Sequence, residues 1–106
     1  MTLTNSRRKG AVGEREIAKY LREHGFTDAR RGQQFKGGAD SPDVTGLTGF
    51  HIEVKRVERL DLNAAMEQSI RDCRENETPI VVHRRNNDYW KVTMRLDDFM
   101  EVINGR

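Results

Sequence analysis

At residues 41–55 the chain reads SPDVTGLTGFHIEVK, the pattern of two short strands joined by a turn with glycine at both ends. Side chains alternate along a strand, so the apolar residues of the second strand are predicted to share one face. His51, Glu53 and Lys55 then share the opposite face. The stretch therefore predicts a hairpin with an apolar side and a charged side.

A three-residue connection between the strands predicts a register in which Val44 pairs with Ile52. In that register Asp43 pairs with Glu53, so two carboxylates lie side by side with Lys55 nearby on the same face. Adjacent carboxylates repel each other and attract a cation, and Mg²⁺ suits such an oxygen-rich pair. Together with an ammonium group that orients a water molecule, the pair predicts phosphodiester hydrolysis. The alternative is a surface hairpin whose charged residues are simply solvated.

A known motif matches these residues: Pro42-Asp43, a gap of nine residues and Glu53-Val54-Lys55 resemble the PD-(D/E)xK motif of the restriction-endonuclease-like nucleases. Asp40 competes with Asp43 as a metal ligand. Asp43 is preferred because it follows a proline at the start of a strand and pairs with Glu53.

A second resemblance lies upstream of the hairpin. Residues 8–17, RKGAVGEREI, followed by Leu21 and by His24-Gly25-Phe26, are similar to the opening helix of archaeal and phage Holliday-junction resolvases. The similarity spans residues 7–57, and the remainder of the chain matches only the general layout of that group.

The resemblance implies an α/β fold with a restriction-endonuclease-like core, in which a central mixed five-stranded sheet is flanked by helices. It implies a Mg²⁺-dependent endodeoxyribonuclease, with Mn²⁺ as a substitute, that resolves Holliday junctions in DNA recombination as a homodimer. In that scheme Asp43 and Glu53 hold the metal, the latter with help from the Val54 carbonyl. Lys55 positions the attacking water, and Glu14 completes the acidic site as a further metal ligand.

Helical spacing independently supports Glu14 as an inward-facing carboxylate. The pattern predicts a helix over residues 10–24, on which Glu14 shares the apolar stripe of Ile17 and Leu21. Glu16 is predicted to point the other way. A carboxylate that faces the core is costly unless it is paired, hydrogen-bonded or near a metal. A structural salt bridge is the alternative role for Glu14.

Several basic residues are expected to contact DNA phosphates. The cluster Arg7-Arg8-Lys9 lies at the start of the predicted helix, where cations are unfavourable unless an anion is near, although a solvated basic tail is equally consistent. A strand is predicted over residues 26–35, and an arginine after this strand contributes to DNA binding and catalysis in the resembled resolvases. Either Arg30 or Arg31 would take that role. The full set of expected DNA contacts is Arg8, Lys9, Arg15, Arg30, Arg31, Lys36, Arg56 and Gln68.

A second helix is predicted over residues 62–75, with Asp61 or Asn63 as its N-cap. Gln68 projects from this helix, and many relatives in the nuclease group carry a Gln or Lys on the helix after the motif. The predicted core face of the helix consists of Leu62, Met66, Ile70 and Cys73.

The last third of the chain is predicted to complete the sheet. Residues 80–83 form a β-branched run typical of an interior strand, and residues 89–94 return as another strand after a turn. Residues 96–103 are predicted to form a closing helix, in which Asp98 and Glu101 have the spacing of a capping box.

Composition predicts a single domain over residues 1–106, with residues 1–6 as a flexible lead-in. Hydrophobic residues make up 35% of the chain and charged residues 34%, and no apolar run approaches the length of a membrane span. The single cysteine and the polar N-terminus fit a cytoplasmic protein, in the host cytoplasm if a phage encodes it. Net charge is +2, with twelve Lys/Arg against eight Asp/Glu in residues 1–60. This basic excess accompanies the motif, as a polyanionic substrate requires.

Three other functions remain open from the residues. The first is a nuclease of this fold that acts generally or on nicks, flaps or single strands. The second is a catalytically inactive DNA-binding module, and the third is a scaffold without a nucleic-acid role. No His/Cys arrangement has zinc spacing and no glycine-rich nucleotide loop is present, so neither a zinc site nor a nucleotide cofactor is expected.

Overall fold

A mixed five-stranded sheet forms the centre of the protein. The computed structural model describes residues 3–32 and 41–105, and of residues 3–7 it describes the backbone. In these ranges the elements are α1 (Leu3–Glu23), β1 (Arg30–Arg31), β2 (Val44–Thr45), β3 (Phe50–Arg56), α2 (Leu62–Asp72), β4 (Thr78–Arg84), β5 (Lys91–Thr93) and α3 (Leu96–Ile103). The strands lie in chain order; β3 and β4 are parallel, and the other neighbours are antiparallel. The predicted α/β fold with a mixed five-stranded sheet is confirmed.

The predicted hairpin register is also confirmed. Val44 of β2 pairs with Ile52 of β3. Gly46 closes β2 with a φ of +101°, and a Cβ added there would lie 2.5 Å from the Cα of Ala29. The turn therefore requires glycine at this position, because any side chain would meet both a strained backbone and the neighbouring chain.

The apolar core lies between α1 and one face of the sheet. Ile17 and Ala18 of α1 pack against Val44, Ile52 and Val54. The helix approaches the sheet closely at Gly13, where an added Cβ would lie 3.2 Å from the Cβ of Arg56 and 3.3 Å from Trp90. This contact fixes α1, and with it Glu14, against the middle strand.

The first part of the chain differs from the prediction at two boundaries. Helix α1 begins at Leu3 rather than near residue 10, and so starts inside the segment predicted as a lead-in. The strand predicted over residues 26–35 is confined, within the described residues, to Arg30–Arg31. Residues 26–29 instead form a turn in which Ala29 N donates to Phe26 O at 3.0 Å. Residues 33–40 lie outside the described residues, and with them the predicted DNA contact Lys36 and the competing ligand Asp40.

The predicted core face of α2 is wrong. The buried residues of this helix are Ala65, Ser69 and Asp72, whereas Ile70 is 37% exposed. Small side chains let the helix lie close to the backbone of the sheet, and Ser69 Oγ donates to the carbonyl of Ile80 at 3.1 Å. The helix thus covers the charged face of β3, where a polar contact serves better than an aliphatic stripe. Asp61 is the N-cap and accepts from Ala64 N at 3.0 Å, as one of the two predicted alternatives.

The strands and the helix at the end of the chain agree with the prediction, except for the N-cap of α3. Strand β4 is an interior strand, and α3 spans the predicted residues 96–103. The capping box is wrong: the helix begins after Arg95, so Asp98 lies within its first turn and accepts from Arg95 Nε at 2.7 Å. None of the helices in the described part of the chain combines the length and the apolar character needed to cross a membrane.

Candidate active site

Two buried carboxyl groups meet where β2 and β3 pair. Asp43 is 8% exposed and Glu53 is 2% exposed, and the two side chains are close enough to share a hydrogen bond. Asp43 is held by the hairpin itself: its N–H donates to Ile52 O at 2.8 Å, and its Oδ2 accepts from Val54 N at 2.8 Å. The predicted pairing of the motif acids therefore exists in the structure.

The proximity of these acids changes the chemistry of Asp43. Burial raises the pKa of its carboxyl, the charge of Glu53 raises it further, and the charge of Glu14 adds to both. The N–H of Val54 lowers the same pKa but does not offset them, so the pKa of Asp43 rises from 3.8 to about 7. Two buried anions without a compensating cation behave in this way. The pair fits a divalent ion by its chemistry, since carboxylate oxygens are the ligands that Mg²⁺ prefers.

Lys55 lies on the same face of β3 as Glu53, about 7 Å further along the strand. Its Nζ donates to Gln68 Oε1 of α2 at 3.4 Å. Both residues line an open cleft of about 260 Å³ between the end of β3 and the start of α2, together with Leu60 and Asp61. Lys55 therefore has access to a ligand in this cleft, while Gln68 limits where its ammonium group can lie.

Glu14 reaches this part of the molecule from α1. It is partly buried, and its Oε1 accepts from Arg31 Nε at 2.9 Å. Its charge contributes to the raised pKa of Asp43, so it lies near the pair. Within the described residues, however, no group of three or more His, Cys, Asp or Glu side chains is arranged to hold a metal ion. The structure thus brings two of the predicted acids together and engages the third with an arginine.

Glu16 does not point away from the protein as predicted. Its carboxylate accepts from Trp90 Nε1 at 3.1 Å and from Arg84 at 3.4 Å, and it lies 3.8 Å from Arg56 Nε. Glu16 is therefore a structural acid that joins α1 to the far strands of the sheet. Arg56, predicted to contact DNA, is engaged here on the opposite face from Lys55 and is not brought to the carboxylate pair.

The other predicted DNA contacts lie on the surface to different degrees. Arg8 and Arg15 are exposed on α1, and Lys9 is half-buried there. Arg30 and Arg31 are exposed on the edge strand β1, and Arg31 is the one that contacts Glu14. The two arginines between which the sequence could not choose therefore differ in their contact with Glu14.

His51, for which the sequence pattern predicts no role, lies against the site in the structure. Its side chain is 0% exposed, and its Nε2 lies 3.1 Å from Oε1 of Glu53. The alternation of β3 already put both residues on one face, which was the available signal. The burial of that face under α2 could not be predicted, because the phase of the helix was misassigned.

The only cysteine is not placed as a nucleophile. Burial and the charge of Glu77 raise the pKa of the Cys73 thiol, and its Sγ donates to the carbonyl of Glu77 at 3.0 Å. A reactive cysteine needs the opposite, a pKa lowered by nearby positive charge. The surroundings of Cys73 therefore do not activate its thiol.

The chain matches one known family over nearly its whole length. A family described as "Phage putative PDDEXK endonuclease" matches residues 5–106. No match was found among curated proteins or among solved structures. The family match covers nearly the whole chain, including the half beyond residue 57 that the sequence motifs do not reach.

Proposed function

Because the chain belongs to the phage PD-(D/E)xK endonuclease family, we propose that this nuclease is a metal-dependent resolvase of Holliday junctions, acting as a homodimer in the host cytoplasm. The observation that supports the chemistry is the buried pair of Asp43 and Glu53, with Lys55 two residues after Glu53 on β3. The junction preference rests on the similarity of residues 7–57 to the resolvases, and the dimer on the surface of α3 described below.

In the proposed reaction Asp43 and Glu53 would hold Mg²⁺, or Mn²⁺ in its place, and the Val54 carbonyl would be a further ligand. A divalent ion bound there would supply positive charge to the phosphoryl oxygens as negative charge develops on them. Lys55 donates a hydrogen bond to the attacking water and keeps it in line with the scissile bond. Gln68 accepts from Nζ of Lys55 at 3.4 Å and would limit where this ammonium group can lie.

Arg31 and Glu14 form the proposed second part of the site. The side chain of Arg31 is 44% exposed, and its guanidinium group can bind a DNA phosphate while its Nε stays on Glu14. Glu14 would then orient this phosphate contact and, through its charge, raise the affinity of the neighbouring acids for a cation. Of the two candidate arginines, Arg31 is the one proposed to act.

Replacement of Glu14 with Gln is expected to lower the cleavage rate about tenfold or more, because the contact with Arg31 loses its charge. The matched change, Glu16→Gln, should leave the rate unaltered and lower the free energy of unfolding by about 1 kcal/mol or less, since Glu16 is partly exposed. Single-turnover cleavage and urea unfolding of both variants measure the two effects. Equal loss of cleavage in the two variants would contradict this division of roles.

The proposed function is tested with matched DNA substrates. Labelled four-way junctions, nicked duplex, flaps, linear duplex and single strands are incubated with the protein and Mg²⁺, with EDTA as one control and Lys55→Ala as another. We expect paired, symmetric nicks in the junction, no cleavage in EDTA and none by the variant. Equal rates on linear or single-stranded DNA would instead support a general nuclease. Binding without cleavage with Mg²⁺ and Mn²⁺ would support an inactive DNA-binding module.

Helix α3 offers a surface for the proposed dimer. Leu96, Phe99, Met100 and Ile103 form one stripe of this helix, and all four are exposed, Leu96 by 71% and Ile103 by 62%. None of the residues of α3 is buried within the chain. A stripe at positions i, i+3, i+4 and i+7 is self-complementary, so two copies can pack it across a two-fold axis. A four-way junction needs two such copies, because it is resolved by two symmetric nicks.

Replacement of Phe99 with Glu is expected to convert the dimer to a monomer, because a charge would be buried in the stripe. Glu101→Lys, which changes a charge on the other side of α3, should leave the dimer intact. Analytical ultracentrifugation over a range of protein concentrations measures both. A wild-type protein that remains monomeric at the highest concentrations would remove the dimer from the proposal while leaving the nuclease activity.

A further inference from the structure

His51 lies in direct contact with the carboxylate pair but has no task in the reaction described above. It is two residues before Glu53 on β3, and both side chains point to the face covered by α2. The distance of 3.1 Å between His51 Nε2 and Glu53 Oε1 is that of a hydrogen bond. An imidazole that is 0% exposed therefore contacts one of the two acids proposed to hold the metal.

We propose that His51 is a positioning residue, which holds the Glu53 carboxylate in the orientation that binds the metal ion. An ionised carboxylate only accepts hydrogen bonds, so this contact requires a proton on Nε2 of His51. The bond occupies Oε1 of Glu53 and leaves its other oxygen for the ion. This inference rests on the proposed function, since it assigns a task within the same site.

The surroundings of His51 enclose its ring and hold its backbone. The hydroxyl of Ser69, which is completely buried, lies 3.4 Å from the backbone carbonyl of His51 and 3.1 Å from that of Ile80, so the two carbonyls share one donor. On the other side of the ring, Nδ1 lies 3.8 Å from Oε1 of Glu77 and makes no hydrogen bond with the described residues. The imidazole is thus confined between two glutamates, with one hydrogen bond only, and that bond points at the site.

Stability alone does not account for this arrangement. Burying a polar pair is often no better for stability than burying apolar side chains of the same volume, because both partners lose their contact with water. A polar pair that keeps one buried nitrogen without a hydrogen bond is a still poorer stabiliser. By contrast, mutation of a residue that hydrogen-bonds to a metal ligand and orients it typically lowers metal affinity by about 10- to 100-fold.

Three variants separate orientation of Glu53 from simple filling of space. His51→Gln places an amide N–H near the position of Nε2 and keeps the donor, whereas His51→Asn places its amide near Nδ1 and loses it. His51→Leu removes the polar group and keeps the volume. We expect Mn²⁺ affinity, measured by calorimetry on the whole protein, to fall about 10- to 100-fold in the Leu and Asn variants. The Gln variant should remain close to the wild type.

Thermal melts without metal accompany each titration. Equal Mn²⁺ affinity in all four proteins overturns the proposal and leaves the proposed nuclease in place. An equal loss in the Gln and Leu variants overturns it as well, because the donor would then be irrelevant. A wild-type protein that binds no Mn²⁺ removes both this inference and the proposed metal site.

If the variants fail to fold, a measurement on the wild-type protein still tests the role of His51. Long-range ¹H–¹⁵N spectra report the protonated nitrogen of each histidine ring, and the chain has three, His24, His51 and His83. Under Mg²⁺ saturation we expect Nε2 of His51 to carry the proton and its signal to move, while those of His24 and His83 stay in place. A proton on Nδ1 alone, or an unmoved His51 signal, would overturn the proposal.

Discussion

Asp43→Asn is expected to abolish metal-dependent cleavage and, at the same time, to stabilise the metal-free protein. Asparagine has the shape of aspartate, and its carbonyl oxygen can still accept from Val54 N. It lacks the charge needed to bind a cation, so the cleavage rate should fall by about 10²- to 10³-fold or more. The negative charge of Asp43 is thus needed to bind the metal, but it destabilises the folded chain when no metal is bound.

The gain in stability follows from the pKa of Asp43, whose ordinary value of 3.8 rises to about 7 in the folded chain. Below pH 4 the carboxyl is protonated in both the folded and the unfolded chain and costs nothing. As the pH rises from about 4 to about 7, the unfolded chain loses this proton first, so the free energy of unfolding of the wild type falls. Above pH 7 the loss is complete and amounts to a few kcal/mol, at about 1.4 kcal/mol for each unit of pKa.

Urea unfolding in EDTA at several pH values between 5 and 8 measures this effect. The advantage of Asp43→Asn over the wild type should grow with pH up to about 7 and then remain constant. Asp28→Asn, in an exposed turn, is the matched control and should show no such trend. A variant that is less stable than the wild type at pH 8 would show that the two carboxyls are not in contact in the metal-free protein.

The sequence predicts the pairing of residues in the hairpin better than it predicts the contacts of the helices. The hairpin register follows from local spacing, because a turn of fixed length sets which residues pair. Asp43 and Glu53 were therefore paired correctly without a structure. The partner of Glu14 could not be predicted in the same way, because Arg31 lies 17 residues away and its position depends on how β1 joins the sheet.

The phase of α2 shows a second limit. An aliphatic stripe normally marks the buried face of a helix, but it does so only when the surface it meets is apolar. Strand β3 is buried on both faces, and the face under α2 carries His51, Glu53 and Lys55. Ala65 and Ser69 pack there because their small side chains leave room for that polar layer. The polar side chains of the site are thus the reason why the aliphatic stripe of α2 did not mark its buried face.

Helix α1 shows a third limit, since Glu14 and Glu16 both face the protein. Glu14 and Glu16 are two residues apart and were expected on opposite sides, with only one directed inward. A helix that lies across a sheet contacts strands on both of its flanks, so Glu14 meets β1 while Glu16 reaches Trp90 beside β5. The spacing of apolar residues predicts the central buried stripe of such a helix, but not how many residues on either side of that stripe also contact the sheet.

Metal affinity is expected to rise steeply with pH up to about 7 and then to level off. Binding requires both acids to be ionised, and the proton of Asp43 must leave first, because its pKa is raised to about 7. One released proton makes the affinity rise about tenfold for each pH unit well below 7, so the change from pH 5 to pH 7 is about 50-fold. From pH 7 to pH 8 the expected rise is about twofold or less, since the carboxyl is then largely ionised.

Calorimetric titration of Mn²⁺ into the metal-free protein at pH 5, 6, 7 and 8 measures this curve. Repeating each titration in two buffers of different ionisation enthalpy counts the protons released, which should be about one per ion at pH 5 and close to none at pH 8. Glu14→Gln removes one of the charges that raise the pKa of Asp43, so it should shift the midpoint to lower pH without removing the slope. An affinity that is the same at pH 5 and pH 7 would show that the cation displaces no proton from Asp43, and would contradict a metal site built on a carboxyl with a raised pKa.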